Sequence, residues 1–167
     1  MEKIYEEAPQ PSRLRRWIYC AIEPIVTVLL VVFLLTLPDL LNARQKPLHI
    51  VMNDRGGVVS QRKAEIQKIA AAGGRVEIRG RVCLSSCTMY LGAPDVCVYP
   101  TTSFGFHGPS NHGRPLGSKQ FEYWSKVIAS FYPADLARWY MKTARYIDKG
   151  YYNLTGAQLI ALGIPAC

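Results

Sequence analysis

The chain has 167 residues, 49% of them hydrophobic, and 20 Lys/Arg against 12 Asp/Glu for a net charge of +8. The hydrophobic share excludes wholesale disorder, and five cysteines are too few for a disulfide-held mini-protein. The excess base is scattered without a dense run, so no nucleic-acid partner is expected, and a solvated basic surface beside an anionic membrane accounts for it better.

In chain order, residues 1–16, "MEKIYEEAPQPSRLRR", are polar with two prolines and read as a short cytoplasmic tail. Residues 17–37 form an apolar stretch, long enough to cross a bilayer as a transmembrane anchor. Arg13, Arg15 and Arg16 flank its amino end, whereas Arg44 and Lys46 on the other side are offset by Asp39. That bias keeps the amino end in the cytoplasm. The rest of the chain is then expected on the periplasmic or extracellular side of an inner (cytoplasmic) membrane. A cleaved signal peptide is the rival, but "LLNA" before Arg44 is a poor small-residue cleavage site. A buried core helix fits less well, because the run is apolar on every face. Residues 38–46 are a linker, and residues 47–167 are the α/β domain.

Within that domain "PLHIVMN" reads as a buried strand and residues 60–72 as a helix ended by Gly73-Gly74. "RVEIRGRV" alternates and reads as a second strand; "SSCTMYLGA" follows as a short buried helix with serine at its cap. "VCVYP" and "SFGFHG" are strands, and residues 109–118 are a loop. A long amphipathic helical region carries Phe121, Trp124, Val127, Ile128 and Phe131 on one stripe and is broken at Pro133. Thr155 and Gln158 stand at capping-box spacing before a last short helix. Strands alternating with helices imply an α/β fold with a mostly parallel sheet.

Three features carry chemistry. Gly56-Gly57 follows a strand, where glycines let a backbone N–H face a cleft, although an ordinary tight turn needs no more. Ser85-Ser86 stands where a strand meets a helix, whose free N–H groups favour a developing anion; a plain N-cap is the simpler account of a lone serine. His107, in "FGFHG", has the most apolar setting of the three histidines and suits a general base; a satisfied core histidine is the bland reading.

In their order and spacing these segments resemble the Clp-type serine peptidase and crotonase superfamily, in particular its small membrane-anchored or secreted members. "NDRGGVV" is similar to the family's Asn-x-Pro-Gly-Gly-x-Val turn, with Arg55 in place of proline. "GRVCLSSCTMYLGAP" is similar to an elbow that often reads Cys-Ala-Ser-Ala-Cys, "VYPTTSFGFHGP" to the histidine segment, and "LTGAQLIALGI" to the closing helix. The resemblance covers about Leu48 to Ile164 and implies a Clp/crotonase-like spiral. It implies Ser85 as nucleophile, His107 as base, and an oxyanion hole from the Gly57 and Ser86 N–H groups. The family's acid falls near Tyr151 by direct register. Asp148, three residues away, is the only acid between Asp135 and the carboxyl end and is the candidate for that role.

Cys83, Cys87, Cys97 and Cys167 permit two disulfides in three pairings. C-x-x-x-C alone is a weak zinc signal, so neither metal nor cofactor is expected. The expected function is a membrane-anchored serine hydrolase acting on a peptide or protein substrate, with a homo-oligomer as one option. The rival is a catalytically inactive binding or scaffold module of the same fold. A crotonase-like acyl-thioester enzyme is a third option, hard to reconcile with cytosolic CoA and an outward-facing domain.

Overall fold

The computed structural model describes residues 26–33 and 46–167. Residues 26–33 are helical with exposed side chains. The remainder of the expected anchor at 17–37, the tail at 1–16 and most of the linker lie outside the described residues. Among the described residues no helix is long and apolar enough to cross a membrane.

Residues 46–167 form a unit of their own, built on two small sheets. In the first, β1 (Leu48–Val51), β2 (Arg75–Ile78) and β4 (Val96–Val98) are all parallel, with β2 central. In the second, β5 (Ser103–Phe106) lies between β3 (Val82–Leu84), which is parallel to it, and β6 (Tyr152–Thr155), which is antiparallel. The chain is therefore mixed α/β with mostly parallel strand pairing, as expected, but the strands are divided between two sheets where one was expected.

"RVEIRGRV" is two strands in two different sheets. The break has a steric cause. At Gly80 a side chain would stand 2.2 Å from the Met52 carbonyl carbon, so the two backbones can pass only with glycine there. β1 also differs from the buried strand expected. It is an edge strand, with Val51 buried while Leu48 and Ile50 are exposed on the other face.

Helix α1 (Val59–Ala71) connects β1 to β2 and anchors through Ile66, its one fully buried residue. Replacing Ile66 by alanine would cost about 2–5 kcal/mol. After β3 the chain enters an eight-residue 3-10 helix, Ser85–Gly92, buried over most of its length. Its serine does not cap: Leu84 occupies the N-cap position without a side-chain bond. Helices α2 (Ser118–Ala129) and α3 (Ala134–Lys142) flank the Pro133 break, and a short 3-10 turn, Ala144–Tyr146, follows. Helix α4 (Gly156–Ala161) starts with the Thr155–Gln158 capping box formed in both directions. Tyr90, Tyr140, Phe104 and Phe106 are the largest fully buried side chains of the core that these elements enclose.

Two disulfides form. Cys97–Cys167 spans 70 residues and ties the carboxyl end to β4, where the Cys167 N–H also donates to the Val98 carbonyl at 3.1 Å. A loop of that size is worth roughly 4 kcal/mol on chain-entropy grounds. Cys83–Cys87 instead brackets the start of the first 3-10 helix. Among the described residues one group of possible metal-ligand atoms comes together, Glu77, Cys97 and Cys167. Its two sulfurs are bonded to each other and have no thiolate to offer.

Candidate active site

At the end of β3 the chain turns sharply. Ser85 has φ +57, a left-handed conformation that costs a residue with a side chain about 1–2 kcal/mol. Neighbouring groups hold it there. The Thr88 hydroxyl donates to the Ser85 carbonyl at 2.7 Å. With that proton committed, Thr88 Oγ1 accepts from the buried Tyr132 hydroxyl at 2.6 Å. Burial pushes the Tyr132 phenol far up, so it stays a neutral donor. The Cys83–Cys87 bridge closes the same elbow covalently.

The glycine turn packs directly on this elbow. Asp54 runs beside β3: its N–H donates to the Val82 carbonyl at 3.1 Å and its carbonyl accepts from Leu84 at 2.9 Å. Gly56 has φ +96, and a Cβ there would lie 2.6 Å from the Ser85 Cβ. Its N–H donates to Asp54 Oδ1 at 2.7 Å, so that amide is occupied. The Gly57 carbonyl accepts from the Ser86 hydroxyl at 3.1 Å. The Gly57 N–H has no acceptor among the described residues. Ser86 lies in the first turn of its helix, where backbone N–H groups have no intrahelical partner. Gly57 and Ser86 line one cavity together with Ser85 and His107.

His107 directly follows β5, which runs beside β3. This pairing brings its ring to the elbow, and Nε2 lies 2.7 Å from Ser85 Oγ. With Nε2 accepting the serine proton, the ring proton is on Nδ1. Burial lowers the pKa below the ordinary imidazole value, opposed in part by a hydrogen bond with the Gly108 backbone. The buried Tyr140 hydroxyl donates to the His107 carbonyl at 3.3 Å. The Tyr151 ring meets the imidazole edge-to-face, 5.2 Å between centroids. Asp148 follows Ile147, whose carbonyl accepts from the Gly108 N–H at 3.2 Å, but it is exposed and makes no hydrogen bond or ion pair among the described residues. Ser85 and His107 are thus brought together beside Gly57 and Ser86, and Asp148 makes no bond to either of them.

The cavity in front of the serine measures about 530 Å³. Leu116, Trp124, Ile128 and Tyr132 form an apolar wall, with Ser110 and Gln120 opposite in character. No carboxylate, lysine or arginine lines it, so it offers no partner to a cationic side chain; His107 and His112 are its titratable groups. A neutral imidazole at hydrogen-bond distance from a hydroxyl, with unpaired amides beside it, has the parts for acyl transfer.

Comparisons with family models, with curated proteins and with solved structures found no match to this chain.

Sequence reasoning missed the groups that support the site. Thr88 stands three residues after Ser85, a spacing at which threonine reaches a backbone carbonyl, and Asp54 two residues before Gly56 is an Asx-turn signal. Both were readable locally. Tyr132 and Tyr140 carry no such signal, because their partners are 44 and 33 residues away.

Proposed function

We propose that this chain is a serine hydrolase, a peptidase of the Clp/crotonase type, anchored at the inner membrane by residues 17–37. The observation that carries the reading is the 2.7 Å contact between Ser85 Oγ and His107 Nε2 at a left-handed elbow. His107 Nε2 takes the hydroxyl proton as Oγ bonds to the substrate carbonyl carbon. The resulting oxyanion accepts from the Gly57 and Ser86 N–H groups. The imidazolium then returns the proton to the leaving amine, and water, deprotonated by the same ring, releases the acyl group. The cavity, lined by no Asp, Glu, Lys or Arg, suits a neutral or apolar substrate segment. Peptide is preferred over other acyl groups on the family resemblance. Two disulfides are in keeping with a domain outside the reducing cytosol.

A fluorophosphonate probe tests the reading. It should label Ser85 in the wild-type protein and not in Ser85→Ala, and His107→Ala should slow labelling by about 100- to 10,000-fold. A folded wild-type protein that resists the probe across the whole pH range would favour a second reading, a non-enzymatic binding module. The observation on that side is the lack of a carboxylate on the His107 ring.

A further inference from the structure

Next to the glycine turn, and outside the lining of the cavity, lies a charged cluster that the proposed chemistry does not use. Arg62 sits on the first turn of α1, and its side chain is only 12% exposed. Its guanidinium reaches Asp54 Oδ2 at 2.5 Å and Glu65 at 2.9 Å. It also donates to the Tyr90 hydroxyl and lies over the Tyr90 ring, 4.4 Å from its centroid. Asp54 and Tyr90 belong to the two halves of the site. Asp54 Oδ1 caps the Gly56 N–H of the turn, and Tyr90 is part of the 3-10 helix that begins at Ser85.

We propose that Arg62 is a positioning residue that locks the oxyanion turn to the nucleophile elbow through Asp54 and Tyr90. The inference rests on the hydrolase reading and adds to it residues that never touch substrate. Asp54 uses one carboxylate oxygen on Gly56 and the other on Arg62, so fixing the guanidinium fixes the carboxylate plane and with it the Gly56 amide. The next amide along is Gly57, the one left free toward the cavity. A stability role accounts for Arg62 poorly. The guanidinium is mostly buried, its Nε has no hydrogen-bond partner, and buried ion pairs of this kind stabilise little over apolar packing. What the pair does supply is direction, since a guanidinium presents its donors in a rigid planar fork and lysine does not.

The test uses the full-length chain in detergent, with three variants: Arg62→Met, Arg62→Lys and Asp54→Asn. Asp54→Asn keeps an oxygen for Gly56 and loses the charge that Arg62 grips, so it probes the link even if Arg62→Met folds badly. The labelling rate at saturating fluorophosphonate, per molecule able to react, should fall about 10- to 100-fold in Arg62→Met and Asp54→Asn, with half-saturation unchanged. Arg62→Lys should fall between these and wild type. A merely structural role would lower the labelled fraction at completion and leave the rate of the reactive molecules alone, and that result overturns the proposal. So does an unchanged rate. If the wild type itself is not labelled, the hydrolase reading has failed separately. Amide hydrogen exchange over residues 54–58 then decides: faster exchange in Arg62→Met and Asp54→Asn upholds the lock, and equal exchange rejects it.

Discussion

On the serine side of the Ser85–His107 hydrogen bond the backbone is held from several directions. Thr88, itself bonded by Tyr132, grips the Ser85 carbonyl, the Cys83–Cys87 bridge closes the elbow, and Gly56 packs against the Ser85 Cβ. On the histidine side the main chain is held by Tyr140, but the ring itself has only the Gly108 backbone and the edge of Tyr151. The lesson is that the two partners are organised by different physics. Ser85 is kept in a strained conformation by directional bonds and steric closure. His107 is kept neutral chiefly by burial, which sets its protonation state without fixing its ring plane as a carboxylate would.

The comparison breaks most visibly at Gly56. A Gly56→Ala side chain would collide with Ser85 Cβ and Leu84 O, at 2.6 and 2.8 Å, on a backbone with φ +96. We expect a loss of about 1–3 kcal/mol in stability and of about 100-fold in labelling rate from displacement of the turn. Gly57→Ala is the control for stability, because nothing lies within 4 Å of a Cβ there. Urea unfolding of both variants, with probe kinetics on Gly56→Ala, checks this, and equal stability of the two would remove the packing argument.

Thr88→Val comes next on the same side. It keeps the shape but leaves the Ser85 carbonyl without its donor and the buried Tyr132 hydroxyl without its acceptor. Stability should drop by about 1–3 kcal/mol. Labelling should slow as Ser85 relaxes from its left-handed conformation. Wild-type kinetics in this variant would mean that the elbow is held by the disulfide and sterics alone.

How much of this was legible in the chain follows the same division between local and distant causes. The Ser85 elbow, the His107 segment and the Thr155–Gln158 capping box are short patterns with fixed spacing, and each was readable. The two-strand nature of "RVEIRGRV" was not, because its alternation is continuous and the break answers to Met52, far upstream. Leu48 and Ile50 look like core residues by type, and only the sheet order shows that β1 is an edge. β6 escaped notice because Tyr152–Thr155 is short and exposed in part, and it becomes a strand by pairing with β5.

A smaller effect sharpens the histidine side. Burial lowers the His107 pKa, so the unfolded chain takes up its proton more readily than the native one. The stability that this group contributes is therefore complete above the ordinary imidazole pKa of about 6.5 and is lost as pH falls toward the native value. The labelling rate should follow the neutral ring, rising with pH through an inflection below the ordinary imidazole value and then levelling. An inflection above it would mean that an anion reaches the ring and that burial does not dominate.

The smallest effect belongs to Asp148→Asn, and it separates two accounts of the base. If a carboxylate oriented the imidazole, neutralising it would lower the rate by orders of magnitude, since the wrong tautomer would be favoured; in a serine-protease triad that change costs roughly 10,000-fold. Asp148 is exposed and makes no bond to the ring, whereas the ring has the Gly108 backbone and the Tyr151 ring as neighbours. Labelling by Asp148→Asn should match wild type in rate and in pH dependence, while Tyr151→Ala, which frees the ring edge, should slow it. The opposite ordering would show that the turn before β6 moves to bring Asp148 onto the imidazole when substrate binds, and the dyad would then be a resting form of a triad.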